Sequence, residues 1–294
     1  MSSAVIAVAQ PVIEAQQPLR RSVARRIGRS RSAQIGLLIT AILVVLAACA
    51  PILAHASPTA IHPNIILQAP SGAHLFGTDD FGRDLLSRVL YGGRISILVG
   101  ISVAGITTIS GLFFGMLAGF YRRLDNPIMR CMDVLMAFPA ILLAIGIMTV
   151  LGPQLGNVIA ALAIAFTPRT ARMVRGEILH LRERDFVQAA QSLGMSDGRL
   201  MLRHLLPNSL TPLLIQQTFI LAVAILAESS LNFLGVGVPP RVATLGGILS
   251  DSREFLRDAP WMSLFPGAFI SLLVLGVNLL GDGLRDVLDP RMRL

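Results

Sequence analysis

Residues 95–120 read ISILVGISVAGITTISGLFFGMLAGF, an apolar run without a single charged side chain. A helix rises about 1.5 Å per residue, so this run is long enough to cross the ~30 Å hydrocarbon layer of a bilayer. Inside lipid the backbone must satisfy its own hydrogen bonds, which favours a helix. The stretch therefore predicts an all-α integral membrane protein.

Five further apolar blocks surround this run. The first, residues 35–55, follows an Arg-rich tail at residues 1–34 and is longer than the roughly 7–15-residue apolar core of a signal peptide. We therefore expect it to be a retained first transmembrane helix. The other predicted spans are residues 134–151, 155–173, 211–233 and 262–280. Of these, the span at residues 155–173 is interrupted near its end by Pro168 and Arg169. The expected fold is a bundle of six transmembrane helices.

The composition agrees with a membrane protein. Charged residues make up 14% of the chain and the mean hydropathy is +0.68, whereas a soluble domain carries about 25% charged residues. The net charge is +8, but the arginines flank apolar blocks without interleaved aromatic residues, so we expect contact with membrane lipid and not with nucleic acid. Cys49 and Cys131 lie in separate segments, so neither a disulfide nor a bound metal is expected.

The basic residues also bear on energy coupling, because all 25 of them are arginine. The nucleotide-binding P-loop, G-x-x-x-x-G-K-[ST], uses its lysine to reach the β- and γ-phosphates. This chain cannot contain that loop. If ATP drives the protein, ATP and Mg²⁺ must bind to separate ATPase chains, and we expect no bound cofactor and no catalytic residue here.

The placement of the arginines predicts the orientation. If the N-terminus is cytoplasmic, 19 of the 25 arginines lie on the cytoplasmic side, counting Arg169 and Arg172 at the end of the fourth span with the loop that follows, as the positive-inside rule requires. Both termini, including the tail at residues 285–294, are then cytoplasmic. The loop at residues 56–94 is extracytoplasmic, and the long loop at residues 174–208 is cytoplasmic.

The second half of that cytoplasmic loop reads DFVQAAQSLGMSDGRLMLRHLLPN from residue 185. Four residues at helical spacing give one small apolar face: Phe186, Ala189, Ala190 and Leu193. Gly194 predicts the end of this helix, and Ser196 or Asp197 can cap a second helix, which we expect to end before Pro207. Such a face suits docking into a groove of another protein. A solvated connector is an equally good interpretation of the pattern alone.

This stretch resembles the EAA motif of ABC-importer permeases, E-A-A-x3-G-x9-I-x-L-P. Gln188 stands in place of the glutamate, and His204 occupies the isoleucine position. The resemblance implies that the loop couples the chain to an ATPase. The coupling residues it implies are Phe186, Gln188, Ala189, Ala190, Leu193, Gly194, Leu206 and Pro207.

Other segments narrow the resemblance to the dipeptide/oligopeptide/nickel group of these permeases. Residues 77–94 look like the group's G-T-D-x-x-G-R-D-x-x-S-R signature, and residues 231–237 and 278–290 look like two further motifs. The similarity covers roughly residues 35–290 and implies a type I ABC-importer permease bundle of the C-type subunit, with its core at residues 95–284. It also implies a bacterial inner-membrane location and three kinds of partner: a homologous second permease, two ATPase subunits and an extracytoplasmic solute-binding protein.

Several single residues remain open to two interpretations. Residues 80–91 predict an amphipathic helix at the outer membrane face, which contacts either the binding protein or its own bundle. Gln216 and Gln217 either line the translocation pathway or bond between helices. Glu228 lies near the outer end of its span, where we expect a structural or gating contact. The outer-loop histidines, His55, His62 and His74, fit no local metal-binding spacing.

Two other classes of protein have to be weighed. An ion-gradient-driven secondary transporter needs ionisable residues at mid-membrane, and the spans offer few. A membrane scaffold that transports nothing would not need the docking loop. The peptide permease interpretation accounts for more of the sequence, although the transported solute itself is not encoded in these motifs.

Overall fold

The computed structural model describes residues 30–54 and 56–288, and within them regular structure is helical without any strand. The helices are α1 (Arg31–Ala48), α2 (Ala50–Leu53), α3 (Leu85–Phe120), α4 (Arg122–Met136), α5 (Ala140–Leu151), α6 (Leu155–Arg182), α7 (Asp185–Ser192), α8 (Asp197–Leu200), α9 (Leu206–Phe233), α10 (Leu245–Asp251) and α11 (Trp261–Leu288). The all-α fold class is confirmed. Most of the predicted tails, residues 1–29 and 289–294, lies outside the described residues, and so does His55.

Four stretches are long and apolar enough to cross a membrane: Arg31–Ala48, Leu85–Phe120, Asp197–Phe233 and Trp261–Asp286. Helices α4 and α5 add a fifth if they count as one span with a bend of 89°. Helix α6 has 28 residues, or about 42 Å, but its inner half carries several arginines. The six helical units correspond in order to the six predicted spans.

The third predicted span, residues 134–151, is not one helix. Helix α4 ends at Met136, and α5 begins only at Ala140, after the 89° bend. Pro139 immediately precedes α5 with an extended ψ of 132°. A proline disfavours helical backbone in the residue before it, here Phe138. The apolar run continues through this point, so hydropathy alone conceals the bend.

The prediction of a separate amphipathic helix at residues 80–91 is also wrong. Residues 80–84 are a loop, and the helix that follows is the first part of the 36-residue α3. The Asp84 side chain accepts a hydrogen bond from the Ser87 backbone N–H at 2.9 Å and so caps the start of α3. Arg88, expected on the polar side, is buried in the protein.

Helix α3 packs closely against α6 along three glycines spaced four residues apart. A Cβ atom on Gly115 would lie 2.6 Å from the Ala171 carbonyl oxygen, and one on Gly119 would lie 2.8 Å from Cβ of Ile178. Gly111 faces Thr170 in the same way. Small residues at this spacing let two helix backbones approach in a membrane. The stripe is a packing surface between these two helices.

Three apolar clusters hold the bundle together. One joins α1, α3, α10 and α11, and a second joins α3, α5, α6 and α9. The third lies at the C-terminal ends of α3 and α6 and the N-terminal end of α9, where it also includes the short helices α7 and α8. The loop is therefore packed onto the bundle and is not a free linker.

Candidate functional site

The outer loop is fastened to the bundle by a group of charged residues that we call the outer clasp: Asp79, Arg83, Arg88 and Asp251. Asp79 is fully buried. One of its carboxylate oxygens accepts the backbone N–H groups of Phe81 and Arg83 at 2.9 and 2.8 Å. Its other oxygen accepts from Nε of Arg83 at 2.6 Å and from Nη1 of Arg88. A carboxylate with four such donors is well stabilised despite its burial.

The clasp reaches across the sequence through Asp251 at the end of α10. Nη2 of Arg88 donates to Oδ2 of Asp251 at 3.2 Å, and Nη2 of Arg83 lies 3.6 Å from the same oxygen. Arg88 is only 3% exposed, and its Nε has no partner within the described residues. The G-T-D-x-x-G-R-D-x-x-S-R pattern thus places two arginines between two carboxylates from distant segments.

Further hydrogen bonds surround the clasp. Nε1 of Trp261, the first residue of α11, donates to the Thr78 carbonyl at 3.2 Å. His74 bonds through Nδ1 to the Asp84 carboxylate at 2.9 Å, so this histidine is a structural partner of the α3 cap. Burial raises the pKa of the neighbouring Asp80 carboxyl, and the charges of Asp79 and Asp251 raise it further. The outer loop therefore forms one body with α3, α10 and α11.

The cytoplasmic loop contains the residues that the EAA-like motif singles out, and we call residues 185–208 the docking segment. Its helix α7 has one side that is buried against the bundle and another that is exposed. Val187 and Ala190 are buried against the bundle, whereas Phe186 is 44% exposed and Leu193 is 87% exposed. Ala189 and Gln188 are also exposed. The predicted apolar face is therefore divided, because Ala190 packs inward and the other three members remain on the surface.

Gly194 ends α7 in the left-handed region, with φ of +77°. Its amide donates to the Gln191 carbonyl at 2.9 Å, and the Met195 amide donates to the Ala190 carbonyl at 3.1 Å. A Cβ atom at Gly194 would meet nothing within 4 Å. The glycine is needed for its backbone conformation and not for space within this chain.

The second helix of the docking segment does not end before Pro207, contrary to expectation. Helix α8 passes into a π-helical turn at Met201–Leu205 and then directly into α9, with Pro207 in the first turn of α9. The π-helical turn before Pro207 lets the helix continue past a residue that has no N–H group, because such local adjustments re-satisfy the backbone groups that a proline leaves free. The Asn208 amide donates to the His204 carbonyl at 2.6 Å. From Asp197 onward, the docking segment thus forms one continuous helical rod with the fifth span.

The docking segment rests on the inner ends of α3 and α6. Leu200 and Leu205 are fully buried there, beside Ile178 and Leu213. Arg182, near the end of α6, donates to the Phe120 carbonyl at 3.0 Å at the end of α3. A cation at a helix C-terminus is favourable because it neutralises the partial charge of the last carbonyls. These contacts hold the docking segment in a fixed position.

A cavity of about 530 Å³ opens at the bend between α4 and α5 and faces α6 and α9. Its wall is mostly apolar and includes Phe138, Ile141 and Leu226, with Ser230 and Arg169 as the polar contributors. A second cavity of about 510 Å³ adjoins it, because both are lined by Met136 and Arg169. The bend that sequence reasoning missed therefore forms one wall of this concave surface.

The two glutamines of the fifth span differ in whether they line the second cavity. Gln216 lines the cavity, together with Arg172 and Phe219. Gln217 is buried between helices: its Oε1 accepts from the Thr107 hydroxyl at 3.1 Å, and its Nε2 donates to the Thr170 hydroxyl at 3.3 Å. Gln217 thus has the expected interhelical bonds, whereas the pathway-lining role of Gln216, which lines a cavity, stays a prediction.

Glu228 is completely buried between α9 and α3 and lines neither cavity. Its carboxylate accepts from the Ser96 hydroxyl at 2.7 Å, from the Asn232 amide at 2.6 Å and from the Ser229 hydroxyl at 3.3 Å. Asn232 in turn accepts the Val238 backbone N–H at 2.9 Å. Glu228 therefore ties the outer end of α9 to α3 and to the loop that follows.

Sequence reasoning missed two features. Asp251 gave no local signal, because its partners lie 163 residues away along the chain. Arg169 was visible only as an interruption of an apolar span, although an arginine inside a span is itself a sign of a functional surface. No group of three metal-binding side chains occurs in the part of the chain that the structure describes.

The apolar helices, the docking segment on one side of the membrane and the concave surface between α4, α6 and α9 define an integral membrane transport subunit. Residues 111–294 match the family described as the inner membrane component of binding-protein-dependent transport systems. Residues 18–70 match the N-terminal transmembrane domain of oligopeptide transport permease C. The chain belongs to this permease family, whose members are the inner-membrane components of ABC importers.

Curated relatives agree with this assignment. A putative peptide transport system permease protein of Brucella abortus is 52% identical over 271 residues, which is 92% of both chains. A dipeptide transport system permease protein of Alkalihalophilus pseudofirmus is 44% identical over 93% of this chain and 90% of its own length. An oligopeptide transport system permease protein of Bacillus subtilis is 37% identical over 91% and 88%.

Proposed function

We propose that this chain forms half of a transmembrane pathway for the uptake of peptides or similar small solutes. The observation that carries the proposal is the docking segment, which leaves Phe186 and Leu193 exposed while its other side is packed on the bundle. The relatives named as dipeptide and oligopeptide permeases support peptides as the solute class. The chain itself is a non-catalytic subunit.

The proposed partners are inferred from the missing P-loop lysine and from the exposed surfaces of the chain. With no lysine there is no P-loop, so ATP and Mg²⁺ bind to two separate ATPase subunits that receive the docking segment. A second, homologous permease completes the pathway by covering the concave surface at Arg169 and Gln216. A solute-binding protein delivers the solute to the outer face. On its own, the purified chain is expected to bind no ATP.

The proposed mechanism is alternating access. Closure of the ATPases moves the docking segment, and α9 moves with it because the second helix of the segment, α8, continues into α9 as one helical rod. The pathway then closes on the inside and opens towards the loaded binding protein. After ATP hydrolysis the solute is released into the cytoplasm. Binding protein and ATPases thus act on opposite ends of the same helix.

The decisive experiment is reconstitution of the complete complex in proteoliposomes. Uptake of a labelled dipeptide should require ATP and the binding protein, and should persist when an ionophore collapses all ion gradients. Uptake that follows an ion gradient and ignores ATP would support the secondary transporter instead. A matched preparation without the binding protein serves as the control for leakage.

The proposed orientation, with both termini cytoplasmic, has its own test. In a variant whose Cys49 and Cys131 are replaced by serine, single cysteines are placed at Gln10 and Ile65. An impermeant thiol reagent added to intact cells should label the cysteine at position 65 and not the one at position 10. Labelling at position 10 would reverse the topology.

A further inference from the structure

The concave surface contains one arginine whose charge no neighbour in the structure balances. Arg169 lines both cavities. Its guanidinium lies over the Phe219 ring, 5.5 Å from the centroid. Within the described residues it forms no salt bridge, which distinguishes it from the arginines that follow on α6.

Those arginines all have defined partners. Arg172 donates to Oδ1 of Asp133 at 2.7 Å, and Arg175 donates to Oδ2 of Asp125 at 2.7 Å. Arg182 binds the carbonyl oxygens at the end of α3. Each of the three therefore serves the packing of α6 against its neighbours. Arg169 has no such role, and its charge is directed at the cavities.

The depth of Arg169 makes this placement costly. It lies 14 residues beyond Leu155, the first residue of α6, or about 21 Å along the helix axis, within a hydrocarbon layer of ~30 Å. Charged side chains at such depth are rare and generally face a polar cavity or a substrate path. The Arg169 side chain is exposed in this chain, and the Phe219 ring supplies only part of the interaction energy that water would give a guanidinium.

The chemistry of the two cavities indicates what Arg169 would bind. No acidic side chain lines either cavity, and the polar contributors besides Arg169 are Arg172, Gln216 and Ser230. The local charge is therefore positive, which favours an anion. A guanidinium pairs with a carboxylate through two parallel hydrogen bonds, and the apolar wall around it suits uncharged side chains.

We propose that Arg169 binds the carboxylate of a solute, such as the C-terminal carboxylate of a peptide, as the solute passes between the α4–α5 bend and Gln216. This inference rests on the proposed function, because it requires the concave surface to line the pathway. It assigns part of the selection among solutes to the permease, in addition to any made by the binding protein.

The test compares two solutes in proteoliposomes that contain the complete transporter: L-alanyl-L-alanine and its C-terminal amide. Arg169→Gln should reduce the initial uptake rate of the free acid by about tenfold, the effect of losing one charge-assisted interaction, and should change that of the amide by less than about twofold. The same binding protein is used throughout, so its own preference cancels in the ratio of wild type to variant. Arg169→Lys, which keeps the charge, should retain more acid uptake than Arg169→Gln.

The control is Arg241→Gln, which removes an exposed arginine from the loop between α9 and α10 and should leave both rates unchanged. Equal uptake of the acid by wild type, Arg169→Gln and Arg169→Lys would overturn the inference and leave the proposed function intact. Failure of Arg169→Gln to co-purify with the second permease would overturn it too, because it would assign Arg169 to the subunit contact. If the wild-type complex transports neither solute, the proposed function is itself wrong and the inference falls with it.

Discussion

The outer clasp and the docking segment are two regions outside the apolar bundle, and they differ in how far their side chains are buried and paired within the chain. In the outer clasp, Asp79 and Arg88 are buried and paired with each other. In the docking segment, Phe186 and Leu193 remain exposed. The side chains of the outer clasp are satisfied within the chain, whereas the docking segment leaves apolar side chains exposed, which we propose another protein covers. The first region should therefore respond to mutation through folding, and the second through assembly.

The largest effect should come from removing the central carboxylate of the clasp. Asp79→Ala leaves Arg88 buried without its main partner, and breaking a buried ion pair from one side costs about 3–5 kcal/mol. We expect the subunit to be lost from the membrane fraction, measured by quantitative immunoblot, and the remainder to unfold at lower temperature in detergent. Asp80→Asn is the matched control, because burial already disfavours that carboxylate and raises its pKa. Normal abundance and a normal melting temperature of the Asp79→Ala protein would show that the outer clasp does not stabilise the fold.

The next effect should leave folding intact and abolish function. Gly194→Leu forces a branched side chain into a left-handed backbone, at a cost of roughly 1 kcal/mol or more, and places it on the surface that we propose faces the ATPases. We expect normal abundance in the membrane and no uptake in the reconstituted transporter. Gly198→Ala, four residues later and with similarly open surroundings, should transport normally. Normal assembly and uptake with Gly194→Leu would mean that the segment is only a connector.

A smaller loss is expected from Leu193→Ser, which shortens the most exposed apolar side chain of the docking segment. Removing one apolar anchor from a protein interface typically costs 1–2 kcal/mol or more, so co-purification of the ATPases should weaken by about tenfold. Membrane abundance should not change, because Leu193 makes no buried contact in the chain. Leu202→Ser removes another exposed leucine outside the motif positions and should matter less. Equal losses from the two variants would argue against a specific contact at Leu193.

The smallest effect should follow from restoring the glutamate of the EAA pattern. Gln188 is exposed and bonds only weakly, through Nε2, to the Glu183 carbonyl at 3.3 Å. A surface ion pair contributes about 0–1 kcal/mol, so Gln188→Glu should raise ATPase co-purification by no more than about fivefold. The measurement is the same co-purification in 50 mM and 500 mM salt, about a tenfold change in ionic strength. A decrease at low salt would show that the groove is acidic where Gln188 docks.

The sequence was sufficient for the class of fold because charge and hydropathy act locally. The α3 cap was equally local, since Asp84 bonds to an amide three residues ahead. Burial of Arg88 could not be predicted, because it depends on Asp251 in a distant segment. Pro139 did provide a signal for the bend, but the apolar residues on both sides outweighed it in a hydropathy reading.

In the candidate site, too, some features were predictable from the local sequence and others depended on neighbouring helices. The left-handed turn at Gly194 was predictable from the residue type alone, and the structure confirms its positive φ. Gln216 and Gln217 could not be assigned separately, because adjacent residues on a helix point about 100° apart and only the neighbouring helices decide which one meets a cavity. The continuation of the rod through Pro207 depends on the π-helical turn before it, a feature without a reliable sequence signal.

That continuous rod, Asp197–Phe233, has 37 residues and a length of about 55 Å. In the proposed mechanism it acts as a lever, with its inner arm among the ATPases and its outer arm at Glu228. Rotation by about 10° around its middle displaces each end by about 5 Å, close to the rise of one helical turn. An enzyme that closes by a few ångströms could thus shift a gate on the opposite side of the membrane without any relay of side chains between them.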